Sequence, residues 1–152
     1  MTYPCAMQER AAQPALVVRR RAPLAQLSAV LGPAWGAIMA QAAAQGASPA
    51  GPPFVAYHNM DWQDLDLEIG MPFATALRGA GDVQATTLPA GPAAVCAYTG
   101  PYDHIGAAHD ALQQWLVAQS RQPVGPAYEF YLNDPVTTAP AALRTNVLRM
   151  VR

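Results

Sequence analysis

The chain contains no lysine; its nine basic residues are all arginine. A Schiff-base amine and a phosphate-loop ammonium are therefore excluded. Serine is nearly as scarce, with Ser28, Ser48 and Ser120 alone, and none lies in a Gly-x-Ser-x-Gly nucleophile turn. Charged residues make up 12% of the 152, and the net charge is −1. Arg19-Arg20-Arg21 is the one basic cluster, and in a strand its side chains alternate between faces, so direct nucleic-acid binding is disfavoured. No apolar run reaches membrane-spanning length, and the N-terminus lacks a charged-then-apolar signal pattern. The expectation is a cytoplasmic protein that does not engage a membrane. His104 and His109 are five apart, on different helix faces rather than at ligand spacing, so neither a metal nor a cofactor is expected. Cys5 and Cys96 can pair only if the region around Cys5 docks, and free thiols are expected.

What the chain does have is apolar content, 52%, at a length that suits one domain with a real core. Residues 1–14 read as a flexible N-terminal tail and 15–152 as a single domain. Strand candidates run over residues 15–21, 54–58, 64–70, 82–88, 93–99, 128–132 and 144–151. Gly32-Pro33 is expected to open a first helix, since proline suits the first helical position, with a stripe of Trp35, Ile38, Met39 and Ala42 and a cap at Gly46. Gly100-Pro101-Tyr102-Asp103 opens a second, with a stripe of Ile105, Ala108, His109, Leu112, Trp115, Leu116 and Gln119.

The stretch Gly125-Pro126-Ala127-Tyr128-Glu129-Phe130-Tyr131-Leu132-Asn133-Asp134-Pro135 reads as turn, strand, turn. Glu129 sits there among three aromatics, and it is one of only three glutamates, with Glu9 and Glu68. Burying such a carboxylate is costly unless something pairs with it. A carboxylate ringed by aromatics is also the chemistry that holds an organic cation. The elements repeat as well. Gly32-Pro33, helix, Gly51-Pro52, strand, strand is echoed by Gly100-Pro101, helix, Gly125-Pro126, strand, strand. In that register Phe54 matches Tyr128, Val55 matches Glu129 and Tyr57 matches Tyr131.

Several segments together resemble the gyrase-inhibitor-like (GyrI-like) small-molecule-binding domains. They are Leu88-Pro89-Ala90-Gly91, Tyr98-Thr99-Gly100-Pro101-Tyr102, Leu112 with Trp115-Leu116, and Gly125-Pro126 with Glu129-x-Tyr131-Leu132-x-Asp134-Pro135. Asp66-Leu67-Glu68-Ile69-Gly70-Met71-Pro72 and Leu143-Arg144-Thr145-Asn146-Val147 add to the likeness, which covers about residues 15–152. The same domain is the effector-binding part of bacterial multidrug-sensing transcription regulators. The resemblance implies an α+β fold: tandem strand-helix-strand-strand repeats with pseudo-two-fold symmetry, an antiparallel sheet, two main helices and a central cleft. It implies a stand-alone binder of hydrophobic, cationic aromatic compounds, serving drug or toxin sensing, sequestration or resistance. It also leaves two alternatives: a hydrolase of strained cyclopropane-type electrophiles, and a gyrase-inhibitor-like module for a protein partner. A homodimer is a further option.

Glu129 matches the family's cleft glutamate; the competing reading is a salt bridge to Arg144 or Arg149. Tyr131 lies on the same strand face, where its hydroxyl can meet the carboxylate or ligand. In the hydrolase alternative Glu129 and Tyr131 are the catalytic pair. Tyr57, Glu68, Trp62, Tyr102, Trp115 and Trp35 complete the expected ligand-binding set. Glu68 competes with a solvated acidic face shared with Asp64 and Asp66, Tyr57 with ordinary sheet packing, and Trp35 and Trp115 with helix core. Tyr128 and Phe130 point to the other strand face and read as core.

Overall fold

The computed structural model describes residues 3–152. In chain order the elements are β1 (Cys5–Arg10), β2 (Gln13–Ala22), α1 (Leu27–Ala43), β3 (Phe54–Tyr57), β4 (Leu65–Pro72), β5 (Val83–Leu88), β6 (Gly91–Thr99), α2 (Gly106–Ala118), β7 (Pro123–Tyr131) and β8 (Arg144–Val151). Short 3-10 turns occupy Leu24–Gln26, Tyr102–His104 and Pro140–Ala142. The fold is α+β: antiparallel strands and two main helices. Among the described residues no helix is long and apolar enough to cross a membrane.

The chain divides into two compact units. The first runs Ala11–Ala90 and orders its strands β3-β4-β2-β5, all antiparallel, with α1 packed on β2 and β4. The second gathers β1 with Gly91–Arg152 and orders its strands β7-β8-β6-β1, again antiparallel, with α2 on β6 and β8. Each unit thus has the same strand-helix-strand-strand plan plus one flanking strand. α1 buries Ala34, Ile38 and Ala42, and α2 buries Ala108, Leu112 and Leu116, one ridge every turn. These triplets stand the same distance apart in sequence as Phe54 and Tyr128, and as Gly51 and Gly125.

That spacing corrects one expectation. Gly32-Pro33 does not open α1: the helix begins at Leu27, and Pro33 lies inside it. The repeat is registered by the buried ridges and by Gly51/Gly125. In that register Pro101, just before the second unit's 3-10 turn, corresponds to Leu27, not to Pro33. Pro33 cannot bond to the carbonyl one turn back, and the helix continues because its ridge is buried beyond that point. Met39, expected in the stripe, is 38% exposed. Gly46 does end the helix, at φ 71°, with the Gly46 and Ala47 N–H groups bonded to the Ala43 and Ala42 carbonyls.

Within the expected tail, Met1 and Thr2 lie outside the described residues, while Cys5–Arg10 is a strand paired along its length with β6. Its four central residues are exposed, as befits an edge strand, so it carries no inward-outward alternation to read. Its partner lies far along the chain, beyond the reach of local pattern. Arg10 ends the strand with its guanidinium 5.0 Å from the Phe130 ring centroid, and Phe130 stacks on Tyr128 at 5.9 Å.

The docked strand meets the condition for cysteine pairing. Cys5 and Cys96 are Cα partners, and their thiols are free and in contact. In the adjoining pair the Ala97 N–H donates to the Pro4 carbonyl at 3.0 Å, so Cys5–Cys96 is a non-hydrogen-bonded position. At such positions Cα atoms lie about 4.5 Å apart, within the span of a disulfide. Burial pushes the Cys96 thiol up to about 12, so half-buried Cys5 is the group that meets an oxidant first. Glutathione disulfide is expected to convert both thiols to one intrachain cross-link, releasing two glutathione thiols per chain. By the chain-entropy account the cross-link raises unfolding stability by about 4.6 kcal/mol. Thiol titration and urea unfolding of wild type and Cys5→Ser check this; two thiols persisting in the oxidised wild type would contradict the β1–β6 register.

Candidate functional site

The second unit carries a polar cluster on the helix-facing side of its sheet. β7 enters through a bulge between Val124 and Ala127, where Gly125 takes φ 72° and its carbonyl accepts from Arg149 Nη2 at 2.9 Å. Beyond the bulge the strand alternates. Tyr128 and Phe130 face one way and are buried; Glu129 and Tyr131 face the other. Glu129 lies opposite Val147, which packs in the core beneath α2 with Cys96, Ala108, Leu112 and Leu116. The carboxylate therefore enters an otherwise apolar layer, and its side chain is 7% exposed.

Its partners within the unit are specific. His109 Nε2 lies 2.7 Å from Glu129 Oε2, and the Tyr131 hydroxyl donates to Oε1 at 2.7 Å. One oxygen is met from the helix and the other from the strand, as a buried carboxylate requires. His109 follows Ala108 on α2 and precedes Leu112 by one turn, which aims its ring at the sheet. Tyr102 sets its ring edge against Tyr131, with centroids 5.5 Å apart at 68°. Burial, and then the carboxylates of Glu129 and Asp134, push the Tyr102 phenol up, so it stays a neutral hydroxyl. Thr145 lies opposite Tyr131 on β8; it is fully buried, and its hydroxyl has no hydrogen-bond partner among the described residues.

Of the expected site residues, the structure thus brings Glu129, Tyr131 and Tyr102 together. Trp115 packs against the core under α2 and is not in that cluster. The other four belong to the first unit. Tyr57 is buried on β3. Trp35 donates from Nε1 to the Gly70 carbonyl at 3.0 Å. Trp62 is 55% exposed in the turn before β4, and its carbonyl accepts from the Leu24 N–H. Glu68 lies 3.3 Å from His58 Nε2. Its neighbours do not form a bare acidic face: Arg19 meets Asp66 at 2.7 Å and Arg21 meets Asp64 at 2.9 Å. Those arginine hydrogen bonds hold both aspartates below the usual carboxylate range. Arg20 turns the other way, to Asp82 at 3.2 Å.

His109 is the residue that sequence reasoning missed. It was visible as a member of the α2 stripe, but a histidine on a buried ridge reads as core until the acid opposite is known. Among the described residues no group of three or more His, Cys, Asp or Glu side chains is placed to hold a metal ion.

Residues 4–152 match the family described as the GyrI-like small molecule binding domain, and the chain belongs to that family. No curated protein sequence matches it. Among solved structures it is similar to the EcmrR C-terminal domain at TM-score 0.89 and 20% identity, covering 100% of this chain and 99% of that one. It covers 57% of the EcmrR chain in a cryo-EM structure of an EcmrR–DNA complex. A hydrolase from Listeria innocua aligns at TM-score 0.71 and 12% identity, covering 97% of this chain and 91% of that one. SAV2435, solved bound to tetraphenylphosphonium, aligns at TM-score 0.68 and 12% identity, covering 100% and 94%. At these identities the likeness is one of fold.

The turn that presents Tyr102 generates a test. Gly100 takes φ 148°, and a Cβ there would sit 2.9 Å from the Tyr98 hydroxyl. That hydroxyl donates to the Pro101 carbonyl at 2.6 Å, one residue before Tyr102. Gly100→Ala is expected to displace the hydroxyl and strain the backbone, costing about 1–3 kcal/mol. In a Tyr98→Phe background the same change should cost measurably less, because the clashing oxygen is gone. Chemical denaturation of the four proteins checks this, and equal costs in both backgrounds would contradict the packing described.

Proposed function

We propose that this GyrI-like chain acts as one small-molecule-binding domain for hydrophobic aromatic cations, with Glu129 receiving the positive charge. The observation that carries the reading is the buried Glu129 carboxylate, held between His109 and Tyr131 with the Tyr102 ring alongside. A carboxylate already oriented by two donors loses little freedom on meeting a cation, and flanking rings add about 0.5–2 kcal/mol each through cation–π contact. Apolar burial supplies most of the affinity and the carboxylate supplies orientation. The ligand bound to SAV2435, a protein of similar fold, is of this chemical class. Such binding suits sensing or sequestration of a drug or toxin.

A hydrolase is the second reading, favoured by the imidazole on the carboxylate. A carboxylate oriented in this way can take a proton from water attacking a strained electrophile, with the Tyr131 hydroxyl fixing its direction. Similarity to the Listeria hydrolase fits this reading but does not choose it.

A thermal-shift series with tetraphenylphosphonium, a neutral triaryl analogue and an aromatic anion distinguishes these readings. At 100 times its dissociation constant a ligand adds about 2.7 kcal/mol. Stabilisation of the wild type by the cation, lost in Glu129→Gln while the neutral analogue still binds, is the expected outcome. No shift with any class in a folded protein would overturn the binding reading. Turnover of a cyclopropane-type electrophile, abolished in Glu129→Gln, would favour the hydrolase.

A further inference from the structure

We infer that His109 sets the charge selectivity of the Glu129 site, because a proton on its imidazole and the charge of a bound organic cation are alternatives at one carboxylate. The inference rests on the proposed binding reading and adds a residue and a regulating variable to it. His109 Nε2 is 2.7 Å from Glu129 Oε2, and the two side chains are 20% and 7% exposed. At that distance and burial a second positive charge brought to the carboxylate meets imidazolium directly, with little water to screen it. Neutral imidazole with its proton on Nε2 still donates to Oε2 and keeps the carboxylate aimed, but adds no repulsion.

Within the second unit, the groups packed around His109 are few. α2 packs on β6 and β8 and follows the Tyr102–His104 turn. The titratable and charged groups there are Cys96 and Tyr98 on β6, Arg144 and Arg149 on β8, Glu129 and Tyr131 on β7, Tyr102, Asp103 and His104 in the turn, and Asp110 on α2 itself. Asp103, His104, Asp110 and Arg144 are exposed. Arg149 donates to the Gly125 carbonyl. Burial pushes the Cys96 thiol and the Tyr98 phenol up, so neither titrates between pH 5 and 8. Among the described residues Glu129 is the group in hydrogen-bond contact with the His109 ring.

The sign follows from linkage. When the imidazole is charged, a cation binds by displacing its proton; when it is neutral no proton is displaced, so cation affinity rises with pH. A neutral ligand of the same shape feels no such competition. The test is calorimetric titration with tetraphenylphosphonium, whose charge is fixed, and with triphenylphosphine oxide, at several pH values from 5.5 to 8.5. Buffers of different ionisation enthalpy report proton release. For the wild type, cation affinity is expected to fall as the pH is lowered across this range, with protons released on binding. The neutral probe should show no slope. In His109→Gln, which keeps a donor but cannot charge, the cation should still bind, with slope and proton release both gone.

A slope that survives in His109→Gln would assign the proton to Glu129 itself and overturn the inference. A flat wild-type profile, with binding still lost in Glu129→Gln, would overturn the inference and leave the binding reading intact. Absence of cation binding at every pH would remove both.

Discussion

Everything chemical in this domain depends on one constraint, the cost of placing a carboxylate in an apolar layer. Glu129 shares that layer with Val147, Leu112 and Leu116, where an unsatisfied charge would cost several kcal/mol. The structure meets the cost with donors from two elements. Their positions are fixed by features with no chemistry of their own: the Gly125 bulge that sets the phase of β7, and the α2 ridge that places His109 over the sheet. A shift of β7 by one residue would put Tyr128 and Phe130 against the helix and send Glu129 to the other face. The bulge and the β7–β8 register are therefore parts of the site.

The internal repeat supplies a built-in comparison. In the first unit Val55 pairs with Ile69 and Tyr57 with Leu67; in the second Glu129 pairs with Val147 and Tyr131 with Thr145. The buried helix ridges align in the same register, so His109 falls where the first unit has Trp35. Where the first unit has Val55, Trp35 and Leu67, the second has an acid, an imidazole and the Thr145 hydroxyl, while Tyr57 and Tyr131 are alike. The fold stands with or without the polar residues, since the first unit is built without them. That favours reading them as functional and not as structural requirements of the fold.

The sequence made the order of elements legible because Gly-Pro punctuation and strand alternation are local signals: Gly91-Pro92 and Gly100-Pro101 bracket β6, and Leu65, Leu67 and Ile69 alternate along β4. It hid β1, an edge strand whose partner lies far along the chain and whose residues are mostly exposed. It misplaced the start of α1 because Gly32-Pro33 looks like an initiating dipeptide, and only the buried ridge shows that the helix runs through it. Glu129 was legible because an acid among aromatics is chemically out of place. His109 was not, because its role exists only once α2 is laid on β7. Composition and periodicity gave the frame, and tertiary register gave the site.

The identity of Glu129's partners says more than their presence. A guanidinium on a carboxylate makes a bidentate, permanently charged pair that a cationic ligand has to break. Within this unit Arg149 donates to the Gly125 carbonyl and Arg10 lies over Phe130. The groups placed on Glu129 within its own unit are a phenol and an imidazole. Both meet the oxygens by hydrogen bonding, and neither is a guanidinium with its bidentate grip. Within that unit the carboxylate is thus oriented through hydrogen bonds from a phenol and an imidazole, the arrangement that the proposed cation reading calls for.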